Sequence, residues 1–143
     1  MRPSFKCDVA ITPASFTNAA TASGNVDTLG FDAMTLDVFM STSDSTSNNP
    51  SVLKLSESDD TVVTNFADIT AFVGDTAFTI PNAVTSGDWA YKFNVDLRGR
   101  KRYIKTSVSP TTTQVIAAVA NLYVGDEAPG DTAAGDMKGV TSG

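Results

Sequence analysis

Apolar and polar residues alternate with a period of two over much of this chain. In Thr35-Leu36-Asp37-Val38-Phe39-Met40-Ser41, Leu36, Val38 and Met40 interleave with Thr35, Asp37 and Ser41, which is the signature of a half-buried strand. Phe39 breaks the pattern by pointing with the polar set, so either a loop covers it in part or another chain does. Tyr91, Phe93, Val95 and Leu97 likewise alternate with Lys92, Asn94, Asp96 and Arg98, and after Gly99-Arg100 the chain continues from Lys101 to Val108. Glycine at the first central position of a two-residue loop fits a type II′ hairpin turn. That hairpin pairs Asp96 with Tyr103, Val95 with Ile104 and Phe93 with Thr106. Its register puts Tyr91, Phe93, Val95, Ile104 and Val108 on one face, where a one-residue slip would mix the faces.

Shorter runs complete the pattern. Cys7 to Thr12 reads as a short strand within a leading segment broken by Pro3, Pro13 and Ala22-Ser23-Gly24-Asn25. Val52 to Leu55, Ile69 to Val73 and Thr76 to Ile80 are further short apolar runs. Polar turns follow at Thr42 to Ser51 and at Ser86-Gly87-Asp88. Gln114 to Val124 is the most apolar segment. Val115, Ile116, Val119, Leu122 and Tyr123 make a helical stripe, but the β-branched content and the Thr-rich approach favour a strand buried on both faces. Seven to nine short strands with no defensible helix predict an all-β protein, an antiparallel β-sandwich or jelly roll. The expected organisation is one domain. An N-terminal arm with the first short strand spans 1–30, the sandwich core spans 31–125, and a flexible Gly/Asp-rich tail spans 126–143.

Composition narrows the chemistry. The 143 residues include no histidine and one cysteine, Cys7. Intrachain disulfides, thiolate metal sites and the commonest general base are therefore excluded. No phosphate-cradling glycine motif or nucleophile elbow occurs, and Glu57, Asp59 and Asp60 lack the order of a calcium loop. The expectation is a protein without enzymatic activity, cofactor, metal or small-molecule substrate. No signal-like or membrane-spanning apolar run is present, so synthesis in a cytoplasm and no membrane partner are expected.

Charge points to binding. The net charge is −6, yet Lys92 to Lys105 holds six basic residues against one acid, a local +5; the remainder holds four against fifteen, or −11. A concentrated positive site on a negative body attracts an acidic partner, while the overall charge disfavours nucleic acid. The candidate contact residues are Arg98, Arg100, Lys101, Arg102 and Lys105 on the hairpin, with Arg2, Phe5 and Lys6 on the arm. The alternative is that the cations only guard an exposed strand against stray pairing.

The segment from Tyr91-Lys92-Phe93-Asn94-Val95-Asp96-Leu97-Arg98-Gly99-Arg100-Lys101-Arg102-Tyr103-Ile104-Lys105 through Ser107-Val108-Ser109-Pro110-Thr111-Thr112-Thr113-Gln114-Val115-Ile116-Ala117-Ala118-Val119-Ala120 resembles the head decoration, or cement, proteins of tailed bacteriophages. The resemblance covers residues 90 to 125. It implies a jelly roll that sits as a homotrimer on the capsid surface of the virion, with the major capsid protein as partner and no catalytic residues. Docking in that family runs mainly through an N-terminal arm, which leaves the basic hairpin lining a subunit interface or facing solvent. Two other classes stay open: a different virion part, such as a tail-tube or head–tail connector component, and a carbohydrate- or receptor-binding sandwich.

Overall fold

In a computed structural model of the chain, residues 5–41, 49–82 and 89–125 are described in full and 136–141 in backbone only. Nine strands occur among these residues. They are β1 (Phe5–Phe16), β2 (Ala22–Asp27), β3 (Ala33–Met40), β4 (Val52–Ser58), β5 (Ala67–Val73), β6 (Trp89–Asp96), β7 (Tyr103–Ser109), β8 (Gln114–Tyr123) and β9 (Asp136–Thr141), with one 3₁₀ turn at Val63–Asn65. One sheet has the order β1-β8-β3-β6-β9 and the other β2-β7-β4-β5, and every pairing is antiparallel. From β1 to β8 the chain crosses to the other sheet at every connection except β4 to β5, which pair as neighbours, and the orders 1-8-3-6 and 2-7-4-5 are the jelly-roll winding.

The alternation predicted for β3 and β6 holds. Met34, Leu36, Val38 and Met40 face inward, as do Tyr91, Phe93 and Val95, against Leu53, Leu55, Ile104 and Val108 of the second sheet. Phe93 makes edge-on contacts with Phe72 (5.7 Å between ring centres) and Phe78 (6.0 Å), tying the two layers together. The ambiguous segment is strand β8. It is not buried on both faces, however: Gln114, Ile116, Ala118, Ala120 and Leu122 are buried and the residues between them are not.

The hairpin is corrected. β6 and β7 do not pair; β6 bonds to β3 and β9, while β7 bonds to β2 and β4. Asp96 to Tyr103 is an arch that crosses from one sheet to the other. An arch brings the same two apolar sets face to face that a hairpin would set side by side, so the alternation test cannot separate them. The turn also shifts by one residue. Arg100 N–H donates to the Leu97 carbonyl (3.0 Å), which makes Gly99 the third residue of the turn, with φ of 82°. A positive φ at that position is the type II requirement and favours glycine.

The 1–30 segment, read from the sequence as an arm with one short strand, holds two strands. Residues 5–16 and 22–27 are strands of the two sheets. Pro13 lies at a register irregularity on β1, an edge strand, where a missing N–H is tolerated. Gly24 lies inside β2 because the Ala10 carbonyl of β1 occupies the space a Cβ would need. Within the expected tail, 136–141 pair with β6 as β9. Residues 126–135 and 142–143, the loop at 42–48, the turn at Ser86–Asp88 and Arg2 fall outside the described residues.

Candidate binding surface

The strand registers collect the predicted contact residues at one end of the sandwich. Phe5 pairs with Tyr123, Tyr123 with Ala33, and Ala33 with Asp96, so the start of β1 and the end of β6 share a row. In the facing sheet Asp27, Tyr103 and Ser58 share a row. The arch bridges the two rows. Leu97 N–H donates to the Asp32 carbonyl (2.9 Å), and Thr28 donates to the Arg102 carbonyl through both its N–H (2.9 Å) and its hydroxyl (2.7 Å). These bonds stitch the arch to the β2–β3 connection.

Each cation of the arch has a partner within the molecule. Arg102 forms a two-point contact with Asp27 (2.9 and 2.7 Å) and stacks 5.0 Å above the Tyr103 ring. Arg98 grips Asp96 in the same manner (2.8 and 2.7 Å). Glu57, largely buried, accepts the Lys101 backbone N–H (3.1 Å) and lies 3.6 Å from the Arg100 guanidinium. The Lys101 ammonium is 4.0 Å from Asp59, and Lys105 sits 4.6 Å above the Phe66 ring. Lys6 pairs with Asp8 (3.3 Å), and Phe5 packs on Tyr123 with ring centres 5.5 Å apart. The local excess of positive charge is therefore met by Asp27, Glu57, Asp59 and Asp96. Three of these four acids are distant in sequence, so the count along the chain overstates the field at the surface.

The pairs differ in what they hold. Arg100 and Arg102 tie the arch to β4 and β2, and the two-point geometry of Arg102 gives it a fixed orientation. Arg98 and Lys101 have side chains 54% and 46% exposed at the tip. Exposed ion pairs stabilise by only ~0–1 kcal/mol, so an outside carboxylate can replace such a partner at little cost.

Three large apolar residues lie open at this same end: Leu29 beside Thr28, and Val62 and Val63 beyond Ser58, all 52–73% exposed. Sequence reasoning missed them because Leu29 and the Val62-Val63 pair each stand in a polar turn with no strand-like alternation around them. Apolar positions beside exchangeable charges are the make-up of a protein-binding patch. Among the described residues no cluster of acids or Cys7 is arranged to hold a metal.

The arch has an acid-sensitive lock. Hydrogen bonds from Arg102 hold the Asp27 carboxyl below its ordinary range, and those from Arg98 do the same for Asp96. Asp60 is lowered too, by the Asn65 amide and then the Val62 N–H. A carboxyl depressed on folding contributes its stability above the unfolded value of ~4 and loses it as pH falls through the folded value. The melting temperature is thus expected to drop below about pH 4. Asp27→Asn should lower it at pH 7 and flatten that acid limb, which circular dichroism melts across pH would check.

Comparison with family models, curated proteins and solved structures finds no match to this chain.

The outer faces of the two sheets contrast. The four-stranded sheet presents Ser23, Asn25, Lys54 and Lys105. The five-stranded sheet presents Phe5, Cys7 and Val9 from β1, Val115, Ala117, Val119, Asn121 and Tyr123 from β8, and Phe39 from β3, with the polar row of Cys7, Asn121, Thr35 and Asn94 crossing it. Asp37 and Lys92, 3.8 Å apart, lie on this face, and burial pushes the Asp37 carboxyl up from its ordinary value. Of the sequence readings, only the out-of-phase Phe39 hinted at it.

Proposed function

We propose that this protein is a non-enzymatic structural component of a tailed-bacteriophage virion, which binds the exterior of the assembled capsid and stabilises it. One observation carries the reading. Phe5, Lys6 and the arch, separated by ninety residues of chain, converge with exposed Leu29, Val62 and Val63 at one end of a jelly roll. The partner is the major capsid protein. Arg98 and Lys101 exchange their internal acids for shell carboxylates, and the aliphatic residues supply area that becomes dry on docking. Arg100 and Arg102 keep the arch in shape, and Lys105 lies on the adjoining polar sheet face. Many copies, each binding modestly across several coat subunits, reinforce a shell without extraordinary single-site affinity. A sugar-binding role loses its best candidate residue, since Trp89 is buried at the start of β6.

The test is rebinding to shells that lack this chain. The double variant Arg98→Ser, Lys101→Ser should bind about 5–10-fold more weakly than wild type at low salt and show a shallower salt dependence. Its melting temperature should stay close to wild type. Equal binding by both proteins at low salt would remove the arch from the docking surface, and no binding by either would remove the capsid.

A further inference from the structure

The outward side of the four-stranded sheet carries a row of hydrogen-bond donors with no acceptor among the described residues. Asn25 of β2 pairs in register with Lys105 of β7, and Lys105 with Ser56 of β4. All three point away from the core, because the alternate positions Val26, Ile104 and Leu55 fill it. Ser56 is the telling member. It is 2% exposed, yet its hydroxyl has no hydrogen-bond partner. A buried hydroxyl left unpaired is rare and costs stability until a ligand supplies the acceptor. Lys105 roofs it. That side chain leaves β7, crosses β4 at the Ser56 row and sets its ammonium 4.6 Å above the ring of Phe66, just before β5. The acids nearby are already held by other cations, Asp68 by Lys54 (3.0 Å) and Asp27 by Arg102 (2.7 Å). Among the described residues, Lys105 is therefore the uncompensated charge of this face.

We propose that the Asn25–Lys105–Ser56 row binds the carboxylate of an acidic sugar. An ionised carboxyl only accepts hydrogen bonds, which suits three donors in line. It draws the ammonium from the ring, since an exposed cation–π contact is weak enough to exchange, and so uncovers Ser56. The Phe66 face freed by that swing is flat and apolar, as the C–H side of a pyranose requires. Exposed Ser23 and the Asn25 amide oxygen remain for its hydroxyls. Other carriers of negative charge fit less well. β7 and β4 are paired on both sides, so a peptide finds no free strand edge for main-chain bonds here. A nucleic acid meets a body of −6 and one available ammonium. The row lies beside the arch but uses neither Arg98 nor Lys101, and the buried Trp89 plays no part.

Calorimetric titration of the full chain at low salt with trimers of galacturonate, glucuronate and mannuronate tests the assignment. At least one should bind saturably, and at least about tenfold more tightly than a neutral galactose trimer. Lys105→Gln and Ser56→Ala should each weaken it about tenfold. Ser56→Ala should melt no lower than wild type, because it removes a hydroxyl that has no partner; a merely structural serine would not behave so. If Lys105→Gln fails to fold, Ser56→Ala still decides. Saturable binding by none of the uronates overturns the proposal, as do variants that bind like wild type. Acetate that competes mole for mole would mean an adventitious ion only, and triglutamate that binds equally well would assign the row to protein carboxylates. Rebinding of Ser56→Ala to capsid shells should match wild type, and its loss would give the row to coat protein instead.

Discussion

Gly24→Ala is expected to destabilise the protein by at least about 3 kcal/mol, enough to leave much of the chain unfolded at physiological temperature. A Cβ on Gly24 would stand 1.6 Å from the Ala10 carbonyl oxygen and 2.7 Å from its carbon. Both are backbone atoms, so no rotamer change relieves the clash. β1 pairs with β8 in one sheet, yet at Ala10 it slips register and leans onto β2 of the other sheet. Ala10 and Ile11 are consecutive buried residues there, as a bulge allows. The close approach shuts one side of the sandwich, and any side chain at position 24 reopens it. Two other glycines calibrate the effect. Gly99→Ala meets no atom within 4 Å but must adopt a φ of 82°, and should cost about 1–2 kcal/mol. Gly125→Ala meets neither obstacle and should be near neutral. Urea unfolding of the three variants should rank them in that order; equal stability for Gly24→Ala would mean that β1 does not close on β2.

Phe93→Ala should be nearly as damaging, at about 3–5 kcal/mol. The ring is fully buried on β6 and meets Phe72 of β5 and Phe78 of the β5–β6 connection edge-on. Truncation removes the area hidden from water and both aromatic contacts, each worth ~0.5–1.5 kcal/mol beyond its area. It also leaves a cavity between the sheets that rigid strands cannot collapse to fill. Phe93→Leu keeps most of the volume and should lose well under half as much. Phe39→Ala, on β3 three register positions from the Leu36–Phe93 pair and on the outer face, should leave the stability of a dilute chain nearly unchanged. Chemical denaturation followed by tryptophan fluorescence suits this series, because Trp89 is buried at the start of the strand that carries Phe93.

Much of this fold was legible in the residues, and the misreadings share a cause. Period-two alternation marked β3 and β6, because a strand with one wet face must place its apolar residues two apart, while β8 was read as a strand from its β-branched, Thr-led apolar run. Alternation reports which way a side chain points and is silent on which strand lies alongside. Tyr91 to Leu97 and Ile104 to Val108 were therefore compatible with a hairpin, and only the jelly-roll winding makes them an arch. The full length of β1, beyond Cys7 to Thr12, was hidden by Pro13, and β2 by Gly24, residues that usually break strands. Pro13 is tolerated on an edge and Gly24 is required by a contact across the sandwich, two facts that exist only in three dimensions. The contact residues followed the same rule. The basic cluster was visible as a place, whereas its neutralisation by Asp27, Glu57 and Asp59 was not, since those acids lie more than forty residues upstream. Phe39 alone signalled the apolar sheet face, because the residues of β8 that complete it resemble a fully buried strand.

If the proposed capsid role is right, this chain is a stoichiometric part of a phage shell. Quantitative mass spectrometry of intact, purified particles gives the ratio of this protein to the major capsid protein. That ratio should be fixed, at many copies per particle, and should persist through washing at low salt. Absence from the particles, or only the few copies a connector would need, would contradict it.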